Sequence, residues 1–168
     1  ILARDHGGPW QNELEISNKL NLNDAMQSAK ESYRDDIDAG FQMLHIDPSV
    51  DIHANPNIDQ VLERVYELYE FCWTYSQQKQ QDVIFEIGTE EQNGSNNTQE
   101  ELEYTLECMR KFCKSNKLPY PSFIVIQAGT RVMEMRNVGS FDSPIRVANE
   151  LPPEIQIPKM ISICKHYR

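Results

Sequence analysis

Four short apolar runs recur along the chain at intervals of about 40 residues: Ile1-Leu2-Ala3, Met43-Leu44-His45-Ile46, Val83-Ile84-Phe85 and Phe123-Ile124-Val125-Ile126. Each has strand character, and a stretch with helical periodicity separates it from the next. The chain therefore reads as βαβαβαβ. Strands that alternate with helices build a parallel sheet with right-handed crossovers, which places the fold in the α/β class.

The intervening stretches are amphipathic. From about Asn23 to Asp38, Met26, Ala29, Tyr33 and Ile37 form one stripe, and Gly40 is placed to end the helix. Ile58, Val61, Leu62, Val65, Leu68, Tyr69 and Cys72 form a wider stripe that starts just after Pro56. Thr98 and Glu101 predict a capping box for a third helix, with Leu102, Leu106, Met109 and Cys113 inward and Lys111, Lys114 and Lys117 at its C-terminal end. Beyond Leu151, Pro152, Pro153 and Pro158 delay a last helix until Pro158 can occupy its first turn. It then runs through Met160, Ile163, Cys164 and Tyr167. A mobile loop is expected where Glu90 and Glu91 lead into the Asn- and Gly-rich stretch from Gln92 to Asn97.

Each strand runs into polar residues and a turn: Arg4-Asp5-His6-Gly7-Gly8-Pro9, Asp47-Pro48-Ser49, Glu86-Ile87-Gly88-Thr89-Glu90 and Gln127-Ala128-Gly129. Functional groups at the C-terminal ends of successive strands, with no GxGxxG after the first, favour a (β/α)8 TIM-barrel type over a doubly wound sheet. A full barrel takes about 250 residues, so four βα units make about half of one. Residues 1–168 are thus expected to be a single domain and a fragment of a larger TIM barrel. The direct start on Ile1-Leu2-Ala3, with no initiator Met, points the same way. Missing sequence or a second chain is expected to supply the remaining strands.

Composition narrows the function. The 26 acidic residues against 16 basic ones give a formal charge of -10, which disfavours nucleic acid as a partner. No apolar stretch approaches the roughly 18 residues of a membrane span. Cys72, Cys108, Cys113 and Cys164 show neither CxxC nor framework spacing and read as reduced thiols of a cytoplasmic protein. All eight lysines lie outside the strand runs, which disfavours a Schiff-base mechanism. There is no phosphate-binding glycine loop and no GxSxG elbow.

Asp5, His6, Asp47 and Glu86 each end a strand in the same sense and are expected to cluster at one end of the sheet. Asp5 and His6 point to opposite sides of a continuing strand and converge only if the turn at Gly7-Gly8 bends the backbone. Imidazole and carboxylates suit a divalent metal such as zinc; the other reading is that these groups satisfy loop backbone donors. His45 shares a face with Met43 and Asp47, as either a substrate contact or a hydrogen-bonded core histidine. His53 and His166 read as surface histidines.

The segments ILARDHGGPWQ, AGFQMLHIDPS, VIFEIGTE and FIVIQAG, in that order, resemble the accessory (Z) subunit family of class II tagatose-1,6-bisphosphate aldolase. That family carries DHxGP…WQ, IHLD-S, IGTE and VVQPG segments and is related to zinc-dependent class II aldolase barrels. The DHGGPWQ turn is two residues tighter than the family's. The resemblance implies Asp5 as catalytic acid or base, His6 and Glu86 as zinc ligands, and Asp47 as an auxiliary metal or active-site carboxylate. His45 and Gln127 stand as substrate-binding candidates. Two functions follow from it. One is metal-dependent aldol cleavage or epimerisation of a ketose phosphate; the other is a non-catalytic subunit that binds a separate class II aldolase or associates with itself.

Overall fold

The computed structural model describes residues 1–89, 98–126, 132–133, 136–137 and 153–167. Four strands, β1 (Ala3–Arg4), β2 (Met43–Ile46), β3 (Ile84–Ile87) and β4 (Phe123–Ile124), form a parallel sheet in the order β1-β2-β3-β4. The helices are α1 (Glu13–Ser17), α2 (Leu22–Asp38), α3 (Ile58–Gln78), α4 (Gln99–Asn116) and α5 (Pro153–His166). Two further short strands, β5 (Val132–Met133) and β6 (Arg136–Asn137), pair antiparallel with each other. The α/β class and the alternating parallel order expected from the sequence are present. The stretch from Gln92 to Asn97, with Glu90 and Glu91, lies outside the described residues, as does Gln127.

Local chemistry explains the helix boundaries. The Asn21 side chain accepts from the Asp24 backbone N–H, starting α2 one residue before the expected Asn23. Asn57 with Gln60 and Thr98 with Glu101 close capping boxes at α3 and α4, satisfying N–H groups that the first helical turn leaves unpaired. Two features differ from expectation. The five residues of α1 are too few to leave a periodic trace, and its start is set by the Asn12 side chain accepting from Leu14 N–H. The last helix begins at Pro153, so Pro158 lies inside it rather than in its first turn. An interior proline costs a helix about 3 kcal/mol. Here Met160 and Ile163, buried against Leu102 of α4, offset that cost.

Strand alternation divides the sheet into two unlike faces. Register pairs Leu44 with Phe85, Ile46 with Ile87 and Ile87 with Ile124 on one face. The first four of these side chains are at most 2% exposed, in one core with Ala29, Tyr33 and Ile37 of α2, Val65, Leu68 and Tyr69 of α3, and Met109 and Cys113 of α4. All three helices therefore cover the same side. The opposite face aligns Ala3 with Met43 and Ile84, and His45 with Glu86 and Phe123. No described helix seals it, and Ile84 and Phe123 stay 41% and 51% exposed.

The two faces should respond differently to truncation. Ile46→Ala is expected to lower unfolding stability by about 2–5 kcal/mol, whereas Ile84→Ala should cost roughly 1 kcal/mol or less. Urea denaturation of the two variants checks this, and equal losses would contradict the one-sided core.

Candidate metal centre at the strand ends

The open face of β2 carries His45 and continues to Asp47, and the chain leaving β1 folds across it. His6 has a backbone φ of +44°, a left-handed value that costs a non-glycine residue about 1–2 kcal/mol. The bend thus falls at His6 itself, one residue earlier than the glycine turn expected to supply it. It turns the imidazole onto His45, with ring centroids 4.7 Å apart. The fold-back is tied to β2 by the Asp47 N–H donating to Gly7 O at 2.8 Å. Gly8 is required there, because a Cβ would lie 2.5 Å from the Asp47 carbonyl oxygen.

Five ionisable side chains meet at this point. His6 Nδ1 is 3.0 Å from Asp47 Oδ2, and His6 Nε2 is 3.9 Å from Asp5 Oδ1. His45 Nδ1 lies 3.9 Å from Asp5 Oδ1 and 3.7 Å from Glu86 Oε2. Asp5, His6, Asp47 and Glu86 thus lie together at one end of the sheet, as expected. Asp5, His6 and His45 each offer a ligand atom within 4.8 Å of the others, a spacing that one metal ion can span. Three carboxylates around two imidazoles give the cluster a negative field that favours a cation. Arg4, next to Asp5 in sequence, is turned to the helix side, where it bonds Ser32 and Asp36.

Asp47, expected as a metal ligand, stands behind His6 at 0% exposure, with its Oδ1 accepting the Ser49 N–H. Glu86, also expected as a ligand, approaches His45 and is not among the three residues whose ligand atoms converge. His45 occupies that place in the convergent set. The sequence places it on the face shared with Met43 and Asp47 and offers a bend at Gly7-Gly8, but does not show that the bend lands the His6 ring on it.

His45 is 2% exposed and fixed at several points. Its Nδ1 accepts the His6 backbone N–H at 3.3 Å, and its carbonyl accepts the Tyr33 hydroxyl at 2.8 Å. Its Nε2 is buried with no hydrogen-bond partner. Burial lowers the pKa of this imidazole, more than the neighbouring Glu86 carboxylate raises it. The ring is therefore held neutral, the form that ligates metals.

Around the cluster the side chains are structural. Trp10, 2% exposed, donates its indole N–H to Leu20 O, and Gln11 reaches Asp47 O at 3.4 Å. His53, read as a surface histidine, packs its ring edge on Trp10. Burial pushes the thiol of Cys72 up, and that of Cys113 up to about 11, which suits packing rather than nucleophilic roles. A cavity of about 540 Å³ beside α1 is lined by Arg4, Gln11, Glu15 and Ser28 and includes none of the five clustered side chains. No helix among the described residues is long and apolar enough to cross a membrane. No family model matches the chain, and no curated protein matches it.

A depressed histidine pKa has a defined effect on stability. Between the folded value and the ordinary value of about 6.5, the unfolded chain binds the proton that folded His45 refuses. Its contribution is thus present above about pH 6.5 and is lost as pH falls. His45→Gln should flatten the fall in unfolding free energy between about pH 7 and 5, measured by urea denaturation. An unchanged slope would contradict the neutral buried ring.

Proposed function

We propose that this chain is half of a (β/α)8 barrel whose strand-end cluster holds a divalent metal ion, zinc being the best match, and acts on a ketose phosphate. The observation that carries this reading is the convergence of Asp5, His6 and His45 at the C-terminal ends of parallel strands. A doubly wound sheet reverses its strand order and carries helices on both faces. Here strands are added in one direction with α2, α3 and α4 on one side, which is how a barrel is wound. Two nitrogens and one oxygen form the three-ligand set typical of catalytic zinc, with a fourth position for water or substrate.

When bound, zinc would polarise a substrate carbonyl or hydroxyl oxygen. His6 would hold the ion through Nε2, and His45 through Nδ1 on giving up the His6 N–H that this atom accepts in the metal-free chain. The Asp5 carboxylate is 92% exposed, so with one oxygen on the ion its other oxygen would face the open side, where it could exchange a proton with a bound ketose. That combination suits retro-aldol cleavage or epimerisation. A second reading, support of a separate class II aldolase subunit, is favoured by the uncovered face around Ile84 and Phe123. The sugar-phosphate assignment itself rests on the four-segment resemblance.

Elemental analysis of the purified protein, followed by assays on ketose bisphosphates with and without a class II aldolase, tests these readings. One zinc per chain is expected, with His6→Ala lowering occupancy at least about tenfold. Turnover by the chain alone would support the catalytic reading. Stimulation of the aldolase only would support the accessory one. Absence of metal together with absence of either activity would overturn both.

A further inference from the structure

Two histidines face each other in this cluster, and their hydrogen bonds demand opposite tautomers. His45 Nδ1 accepts the backbone N–H of His6, so a neutral His45 carries its proton on Nε2. An Asp47 carboxylate can only accept, so the 3.0 Å contact to His6 Nδ1 requires the proton on that nitrogen. Neutral His6 then has its lone pair on Nε2, the atom that lies 3.9 Å from Asp5 Oδ1.

Asp47 is built to impose this. It is 0% exposed, its Oδ1 is engaged by the Ser49 N–H, its own N–H is held by Gly7 O, and its carbonyl accepts Gln11. Neither its backbone nor its side chain is at liberty to turn away. A carboxylate held this way behind a metal-facing imidazole fixes the ring's orientation and raises its basicity.

We propose that Asp47 is a positioning residue, not a ligand: it fixes His6 as the Nδ1–H tautomer and so aims the Nε2 lone pair at the cation. The metal half of this rests on the metal-site reading above; the tautomer half does not. The test uses nitrogen-15 NMR of the histidine rings in metal-free protein at about pH 8.5, well above the ordinary imidazole pKa, with zinc titration by calorimetry. Wild type should show His6 with Nδ1 protonated and His45 with Nε2 protonated. Asp47→Asn should lose the His6 preference and weaken zinc binding about 10- to 100-fold, with circular dichroism reporting whether the fold is retained.

If Asp47→Asn fails to fold, the wild-type ring shifts still decide the tautomer, and finding His6 protonated on Nε2 overturns the proposal. Unchanged zinc affinity in a folded Asp47→Asn protein also overturns it. If wild type itself takes up no zinc, the metal-site reading fails and the affinity claim fails with it. The ring shifts then decide the tautomer claim alone.

Discussion

Side chains alternate across a parallel strand, and that constraint sets what each part of this molecule can do. On one face Leu44, Ile46, Phe85 and Ile87 are sealed by three helices and provide the core. Every second residue is thereby freed for the other face, where His45 and Glu86 are neighbours in register. A slip of one residue in β2 would move His45 and Asp47 into the helix layer and break both the core and the cluster. The core and the side-chain cluster are consequently coupled through one register.

The cluster also depends on a short piece of irregular backbone. Left-handed His6, Gly8 pressed on the Asp47 carbonyl and the Gly7 carbonyl bonded to Asp47 N–H together hold the end of β1 over the end of β2. The strain at His6 is balanced by contacts that only this conformation makes: its N–H on His45 and its ring on Asp47. Tyr33 links this arrangement to the core, since its hydroxyl reaches the His45 carbonyl while its ring sits under Arg4. Strain kept by several independent contacts is a feature of sites rather than of linkers.

What could be read in the sequence follows from period and from strong local signals. The α2, α3 and α4 helices carry long apolar stripes, and α4 also carries the Thr98–Glu101 capping box, so their positions and inward faces were legible. So was the grouping of Asp5, His6, Asp47 and Glu86, because strands of one sense deliver their ends to one place. Period could not reveal α1, which is five residues long. Nor could it reveal that packing of Met160 and Ile163 would carry α5 through Pro158. The assignment of roles among His45, Asp47 and Glu86 was illegible for a different reason. It depends on where the β1 loop lands, and that is set by long-range contacts such as Gly8 on Asp47.

Asp5, His6 and His45 are proposed to enclose a cation at the strand ends of this sheet. Anomalous diffraction at the zinc edge, from crystals grown with equimolar zinc, tests it most directly. A single strong peak about 2.0–2.2 Å from His6 Nε2, with Asp5 oxygen and a His45 nitrogen completing the set, is the predicted result. A zinc peak located elsewhere, with this cluster unchanged and empty, would contradict it.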